Sequence, residues 1–153
     1  MLLNNKFDVL RGWPREGAID ETFGAKVSGG VPVQLAPGMV VEVQSDGSVD
    51  KASTPNLSSA DAKATWVVVE SNDDFSGRFL AKVVCIRKNA VLRLDPANLN
   101  TGTYTPGTKL TFAVGKWSVA AANDQIIAEV MKDDSAIDGT IVVYYDGGAI
   151  KKV

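Results

Sequence analysis

The side chains able to do chemistry are few. One cysteine, Cys85, lies in FLAKVVCIR (79–87), and two Asp-Asp pairs occur, Asp73-Asp74 and Asp133-Asp134, the second followed by Asp138-Gly139. One Ser-x-x-Lys spacing runs from Ser48 to Lys51, and the chain has no histidine. Without histidine there is no His-dependent triad, no imidazole general base and no His-based zinc site. Cys–Lys, Ser–Lys and paired-carboxylate chemistry remain open to such a chain.

Each of those sets has a plainer reading. Alternation along 79–87 puts Phe79, Ala81, Val83, Cys85 and Arg87 on one strand face and Leu80, Lys82, Val84 and Ile86 on the other. Cys85 therefore reads as a buried, inert thiol with Lys82 pointing away from it. The acids of KDDSAIDG do not follow the Asp-x-Asp-x-Asp-Gly alternation of a calcium loop, so they read as solvated turns with no metal. Ser48-Val49-Asp50-Lys51 lies in a hairpin and lacks companion SDN and KTG motifs. GxSxG, GxxxxGK[ST], CxxC and HExxH are all absent. No catalytic, cofactor or metal site is expected, and the chain reads as a non-enzyme.

Composition narrows the partners. The 153 residues carry 16 Lys plus Arg against 18 Asp plus Glu, a net charge of −2. Nucleic acid is not an expected partner, because phosphate binding needs a cationic footprint. No apolar run approaches the roughly 20 residues of a membrane span, so no membrane is expected either. Asp8, Arg11, Arg15 and Glu16 occupy the place where a signal peptide would be apolar, and secretion is not expected.

The elements that must position these residues are strands. VPVQL (31–35), MVVEVQ (39–44), TWVVVE (65–70), FLAKVVCIR (79–87), AVLRL (90–94), KLTFAV (109–114), KWSV (116–119), IIAEVM (126–131), TIVVYY (140–145) and AIKKV (149–153) are short runs rich in Val, Ile and aromatics. Gly, Pro, Asn or Asp bound most of them. Branched and aromatic side chains fit a half-buried pleated surface. The expectation is an all-β fold, a small barrel or sandwich of about ten short strands. Tight reversals are expected at Ser45-Asp46-Gly47-Ser48, Val114-Gly115-Lys116 and Tyr145-Asp146-Gly147-Gly148. Polar residues 52–64 form a surface loop or one helical turn starting near Ser58 or Ser59.

Two segments echo each other. LAPGMVVEVQSDGSVDKA (35–52) and YTPGTKLTFAVGKWSVAA (104–121) share Pro-Gly, a strand, a Gly-bearing turn and a second strand ending in Ala. They imply two hairpins in comparable places.

Residues 1–30 follow neither a 2-residue nor a 3.6-residue period. Phe7, Val9, Leu10, Trp13, Pro14, Ile19 and Phe23 are scattered among charges, ahead of a Ser28-Gly29-Gly30 hinge. This stretch reads as an extended N-terminal arm, with residues 31–153 as the β domain. The arm either folds back as an irregular strand or docks on a neighbouring subunit.

The arm, the Pro-Gly hairpins, TWVVVESND, IIAEVM after Asn123-Asp124, and TIVVYYDGG together resemble the capsid decoration (cement) proteins of tailed bacteriophages, including the lambda-type β-barrel group. That resemblance covers most of residues 31–148. It implies an accessory coat protein, made in the host cytoplasm, that binds the outside of a mature shell and bridges major capsid protein subunits. It also implies self-association, as a trimer or a dimer. On this reading the seven apolar arm residues are the capsid contacts. The rival reading is a virion-surface or tail-associated β module that binds host carbohydrate, with an exposed Trp117 and one of the neighbouring tyrosines stacking on sugar.

Overall fold

The computed structural model describes residues 5–11, 20–53, 63–70, 82–87 and 89–147. Among these described residues thirteen strands and one 3-10 turn account for the regular structure, and the protein is all-β. The strands are β1 (Asp8–Arg11), β2 (Asp20–Gly24), β3 (Val27–Ser28), β4 (Val31–Pro32), β5 (Val40–Val43), β6 (Val49–Lys51), β7 (Thr65–Glu70), β8 (Lys82–Ile86), β9 (Asn89–Leu94), β10 (Lys109–Ala113), β11 (Lys116–Val119), β12 (Ala128–Asp134) and β13 (Thr140–Asp146). The expected strand at 149–153 and the expected helical turn near Ser58 lie outside the described residues.

A six-stranded sheet has the order β1-β9-β13-β12-β10-β11, a five-stranded sheet the order β2-β8-β7-β5-β6, and β3-β4 form a separate hairpin. All these strand pairs are antiparallel. The sheets do not close on each other, so of the two expected architectures the sandwich is the one formed. Among the described residues they are joined by backbone hydrogen bonds along one side. There Val40 N donates to Gly115 O (2.9 Å) and Gly115 N donates to Ala52 O (3.0 Å). Those two bonds join the hairpins of the repeated segments, β5–β6 at an edge of one sheet and β10–β11 at an edge of the other.

The main core lies between the sheets. Val40, Val67 and Ile86 from the five-stranded sheet meet Leu92, Leu94, Leu110, Phe112, Trp117, Ile141, Val143 and Tyr145 from the six-stranded one. Strand alternation sends Tyr145 inward, fully buried, and leaves Tyr144 outward at 41 % exposed. Trp117 and Tyr145 meet edge to face at 6.0 Å. A second cluster covers the opposite face of the five-stranded sheet. Ala25, Val33, Leu35 and Met39 cross over Val41, Val49, Val68, Val83 and Cys85. The middle of that sheet is therefore buried on both faces, which explains the consecutive valines Val40-Val41 of β5 and Val67-Val68 of β7.

The crossing segment is pinned at Pro37-Gly38. Gly38 has φ +86 and passes so close to Asn98 that a Cβ there would sit 2.5 Å from Asn98 Oδ1. Asn98 Nδ2 donates to Pro37 O (2.9 Å), and Trp117 Nε1 donates to Gly38 O (2.8 Å). Asn98 also accepts from Asp95 N (2.9 Å), completing a capping box around the 3-10 turn Pro96–Asn98.

The expected boundary at residue 30 does not separate an arm from a domain. β1 pairs with β9 and β2 pairs with β8, so the N-terminal stretch supplies one edge strand to each sheet. Ser28-Gly29-Gly30 is the turn of the β3–β4 hairpin, with both glycines at positive φ, and not a hinge.

Candidate interaction surface

The residues singled out for chemistry are engaged in ordinary structural roles. Cys85 is fully buried in the second cluster, and burial pushes its thiol up to about 12, far from a reactive thiolate. Ser48 Oγ donates to Asp46 Oδ1 (2.6 Å) within the β5–β6 turn, so its hydroxyl is directed to a turn carboxylate. Asp133 accepts from Ser135 N (2.9 Å), and Asp138 accepts from Thr140 Oγ1 (2.6 Å) and Thr140 N (3.0 Å). Those hydrogen bonds, led by the Ser135 and Thr140 hydroxyls, hold both carboxyls below the usual aspartate value. Among the described residues no group of three or more His, Cys, Asp or Glu could hold a metal ion. Asp73-Asp74 lies outside the described residues.

The expected capsid contacts of the arm divide three ways. Phe7 and Val9 are half-buried and pack against the inter-sheet core, Val9 opposite Leu92 across the β1–β9 pair. Phe23 packs against the second cluster and meets Trp66 edge to face at 4.9 Å. These three are corrected from partner contacts to internal ones. The reason is physical: β8 and β9 would otherwise end each sheet with unpaired backbone groups beside an uncovered apolar core, and the N-terminal strands satisfy both. Leu10 alone of the described anchors points outward, 41 % exposed at a bulge in β1. Trp13, Pro14 and Ile19 lie outside the described residues.

Further contacts hold the N-terminal segment down. Lys6 N donates to Asp95 Oδ1 (2.8 Å), and Lys6 Nζ donates to Asp138 O (3.2 Å). The segment is therefore bound at its backbone as well as by its apolar side chains.

The rival sugar platform is also displaced. Trp117 is fully buried and its indole N–H is occupied by Gly38, so it cannot stack on a ligand. A search against family models, curated proteins and solved structures finds no match to the chain.

What the fold does leave outward is a set of apolar side chains at turns and short strands. Val27 (59 % exposed) and Val31 (51 %) lie on the β3–β4 hairpin, and Val114 and Ile137 sit at the turns of the β10–β11 and β12–β13 hairpins. Val27 pairs with Pro32 and Ser28 with Val31, so alternation places the two valines on opposite faces of the hairpin. A Cβ added at Gly29 or Gly30 would meet nothing within 4 Å. The hairpin projects from the body with a valine on each side. Its base is fixed by Lys26 N donating to Val49 O (2.9 Å) and Val33 N to Lys26 O (2.8 Å). No signal in the sequence singled it out, because VPVQL reads as a five-residue strand and its continuation beyond Pro32 instead crosses the second sheet.

Proposed function

We propose that this protein is a structural component of a phage particle, a capsid decoration protein that binds the outside of the mature shell and bridges major capsid protein subunits. The observation that carries the proposal is the β3–β4 hairpin. A two-stranded ribbon is marginal in water unless another layer covers it. Here a ribbon hydrogen-bonded at its base offers Val27 and Val31 on its two faces. An insertion element between two subunits has this form. The resemblance in the Pro-Gly hairpins supplies the identity of the partner, and Leu10 adds a second outward contact.

The energetic logic is mass action. A ligand that binds the assembled lattice but not dissociated subunits stabilises the lattice by about 2.7 kcal/mol per site at a free concentration of 100 dissociation constants. A body made of two packed sheets adds stiffness to that bridge. Self-association on the shell, as a trimer or a dimer, belongs to the same proposal.

The test is cosedimentation with undecorated, expanded shells. The wild-type protein should bind and raise the temperature at which the shells disrupt. Val27→Asp with Val31→Asp should lose binding while the unfolding temperature of the free protein is unchanged. Absence of wild-type binding, or full binding by the double variant, would refute docking through this hairpin.

A further inference from the structure

A groove of about 430 Å³ opens on the outer face of the five-stranded sheet, between the crossing segment, β6 and the 3-10 turn. Val33, Ala36, Met39 and Ala97 give it an apolar lining, and Lys51 brings a cation to it. Lys51 pairs with Val41 across β5–β6 and so shares the face that the second cluster covers. Among the described residues no carboxylate lies within ion-pair distance of its ammonium. The walls are fixed. Ala36 N donates to Met39 Sδ (3.3 Å), and the Lys51 stem lies against Gly115, where an added Cβ would come 3.1 Å from Lys51 Cβ.

The chain carries a projection that answers this groove. Ile137, in the β12–β13 turn, is 83 % exposed, more than any other large apolar side chain described. Asp134 O holds the turn, accepting from Ile137 N (2.9 Å) and Asp138 N (3.1 Å). Gly139 passes so close to the 3-10 turn that a Cβ there would lie 2.6 Å from Pro96 Cγ, and Lys6 Nζ donates to Asp138 O (3.2 Å). Such bracing lowers the ordering cost of binding. Asp133 accepts from Ser135 N (2.9 Å) and has no cation within ion-pair distance among the described residues.

Charge selects this projection over the other exposed turns. Val114 is followed two residues on by Lys116, Val27 follows Lys26, and Val31 has no charged residue within three positions. Ile137 alone of these four is set among carboxylates, those of Asp133, Asp134 and Asp138. An aliphatic side chain flanked by acids suits an apolar groove that holds an unpaired lysine. Within one molecule Ile137 stays outside the groove. Pro96 under the turn and Ala97 in the groove are neighbours, so projection and groove lie on either side of the 3-10 turn. That placement lets two copies exchange turns reciprocally. We infer that the groove receives the β12–β13 turn of a second copy of this chain, with Ile137 seated on Val33, Ala36 and Met39 and Asp133 paired with Lys51. The inference gives a surface to the self-association proposed above and rests on that part of the proposal alone.

The test is sedimentation velocity of the free protein, from low micromolar to near-millimolar concentration. The wild-type protein should associate reversibly. Ile137→Asp and Lys51→Asp should each weaken association at least about tenfold, with the far-UV circular dichroism unchanged because both side chains are exposed. Asp133→Lys should weaken it too, and combining Asp133→Lys with Lys51→Asp should recover most of the loss, which a merely structural effect would not do. A wild-type protein that stays monomeric throughout, or association that Ile137→Asp leaves intact, overturns the inference. Failure of the combined variant to recover overturns it as well. Wild-type protein that associates in this way yet does not bind shells counts against the shell reading and not against this contact.

Discussion

Replacing Gly38 by alanine should damage the fold far more than replacing Gly47, although both glycines have almost the same backbone angle. Gly38 has φ +86 and Gly47 has φ +84, so each substitution carries the left-handed penalty of about 1–2 kcal/mol. At Gly47 the new methyl group meets nothing within 4 Å, and the cost ends there. At Gly38 it would lie 2.5–2.7 Å from three atoms of the Asn98 amide, so that side chain must move. Asn98 is only 3 % exposed, and moving it breaks its bonds to Pro37 O and Asp95 N. Each buried polar group left unpaired costs about 1–3 kcal/mol, which for the two bonds brings Gly38→Ala to about 3–8 kcal/mol. For a chain of this size about 2–4 °C is lost per kcal/mol, so the melting temperature should fall by roughly 6–32 °C, against roughly 2–8 °C for Gly47→Ala. Thermal unfolding followed by circular dichroism, with urea titration for the free energies, reads both. A double-mutant cycle with Asn98→Ala should show coupling, since the collision disappears once the amide is gone. Equal losses in the two single variants would refute the clamp between the crossing segment and the 3-10 turn.

Other outcomes follow from the same structure. Phe23→Ala should destabilise the free protein by about 2–3 kcal/mol, because the ring packs on Trp66 and the second cluster; a loss of shell binding with unchanged stability would restore Phe23 as a partner contact. Val114 is a β-branched residue held at φ +49 and 68 % exposed, so Val114→Asn should raise stability by about 1 kcal/mol, seen as a higher urea midpoint. Burial raises the Cys85 thiol from 9.0 to about 12, so the unfolded chain ionises first, and stability intact below about pH 9 is lost as pH rises toward 12. Tyr145 moves stability in the same direction, its hydroxyl raised chiefly by burial. Cys85→Val should flatten that alkaline loss in urea titrations at stepped pH, and native Cys85 should resist a thiol reagent until the protein unfolds.

The strands that could be read from sequence are those whose side chains alternate against a core. TWVVVE and KWSV have the expected limits as β7 and β11, and the Asp46-Gly47 and Val114-Gly115 reversals fall at hairpin turns. The Pro-Gly echo also had a physical counterpart, since its two hairpins face each other across the joined side of the sandwich. VPVQL misled because Val33 and Leu35 pack on the second sheet from above without joining a ladder. β1 and β2 were illegible as core strands for a different reason. DVLR carries a bulge between Val9 and Arg11, and DETFG has one large apolar residue, so neither shows a clean period. Their pairing is dictated by open edges elsewhere in the chain, a long-range effect that local spacing does not encode. The same holds for the groove at Lys51, whose walls come from the crossing segment, β6 and the 3-10 turn.

A capsid-bridging protein must sit on the shell, at the contacts between its subunits. Cryo-electron microscopy of mature particles assembled with and without it measures that directly. The predicted result is extra density at symmetric positions outside the shell, with the Val27–Pro32 hairpin directed at the junction between capsid subunits. Density confined to the tail, or a shell-bound protein with that hairpin facing solvent, would contradict the account.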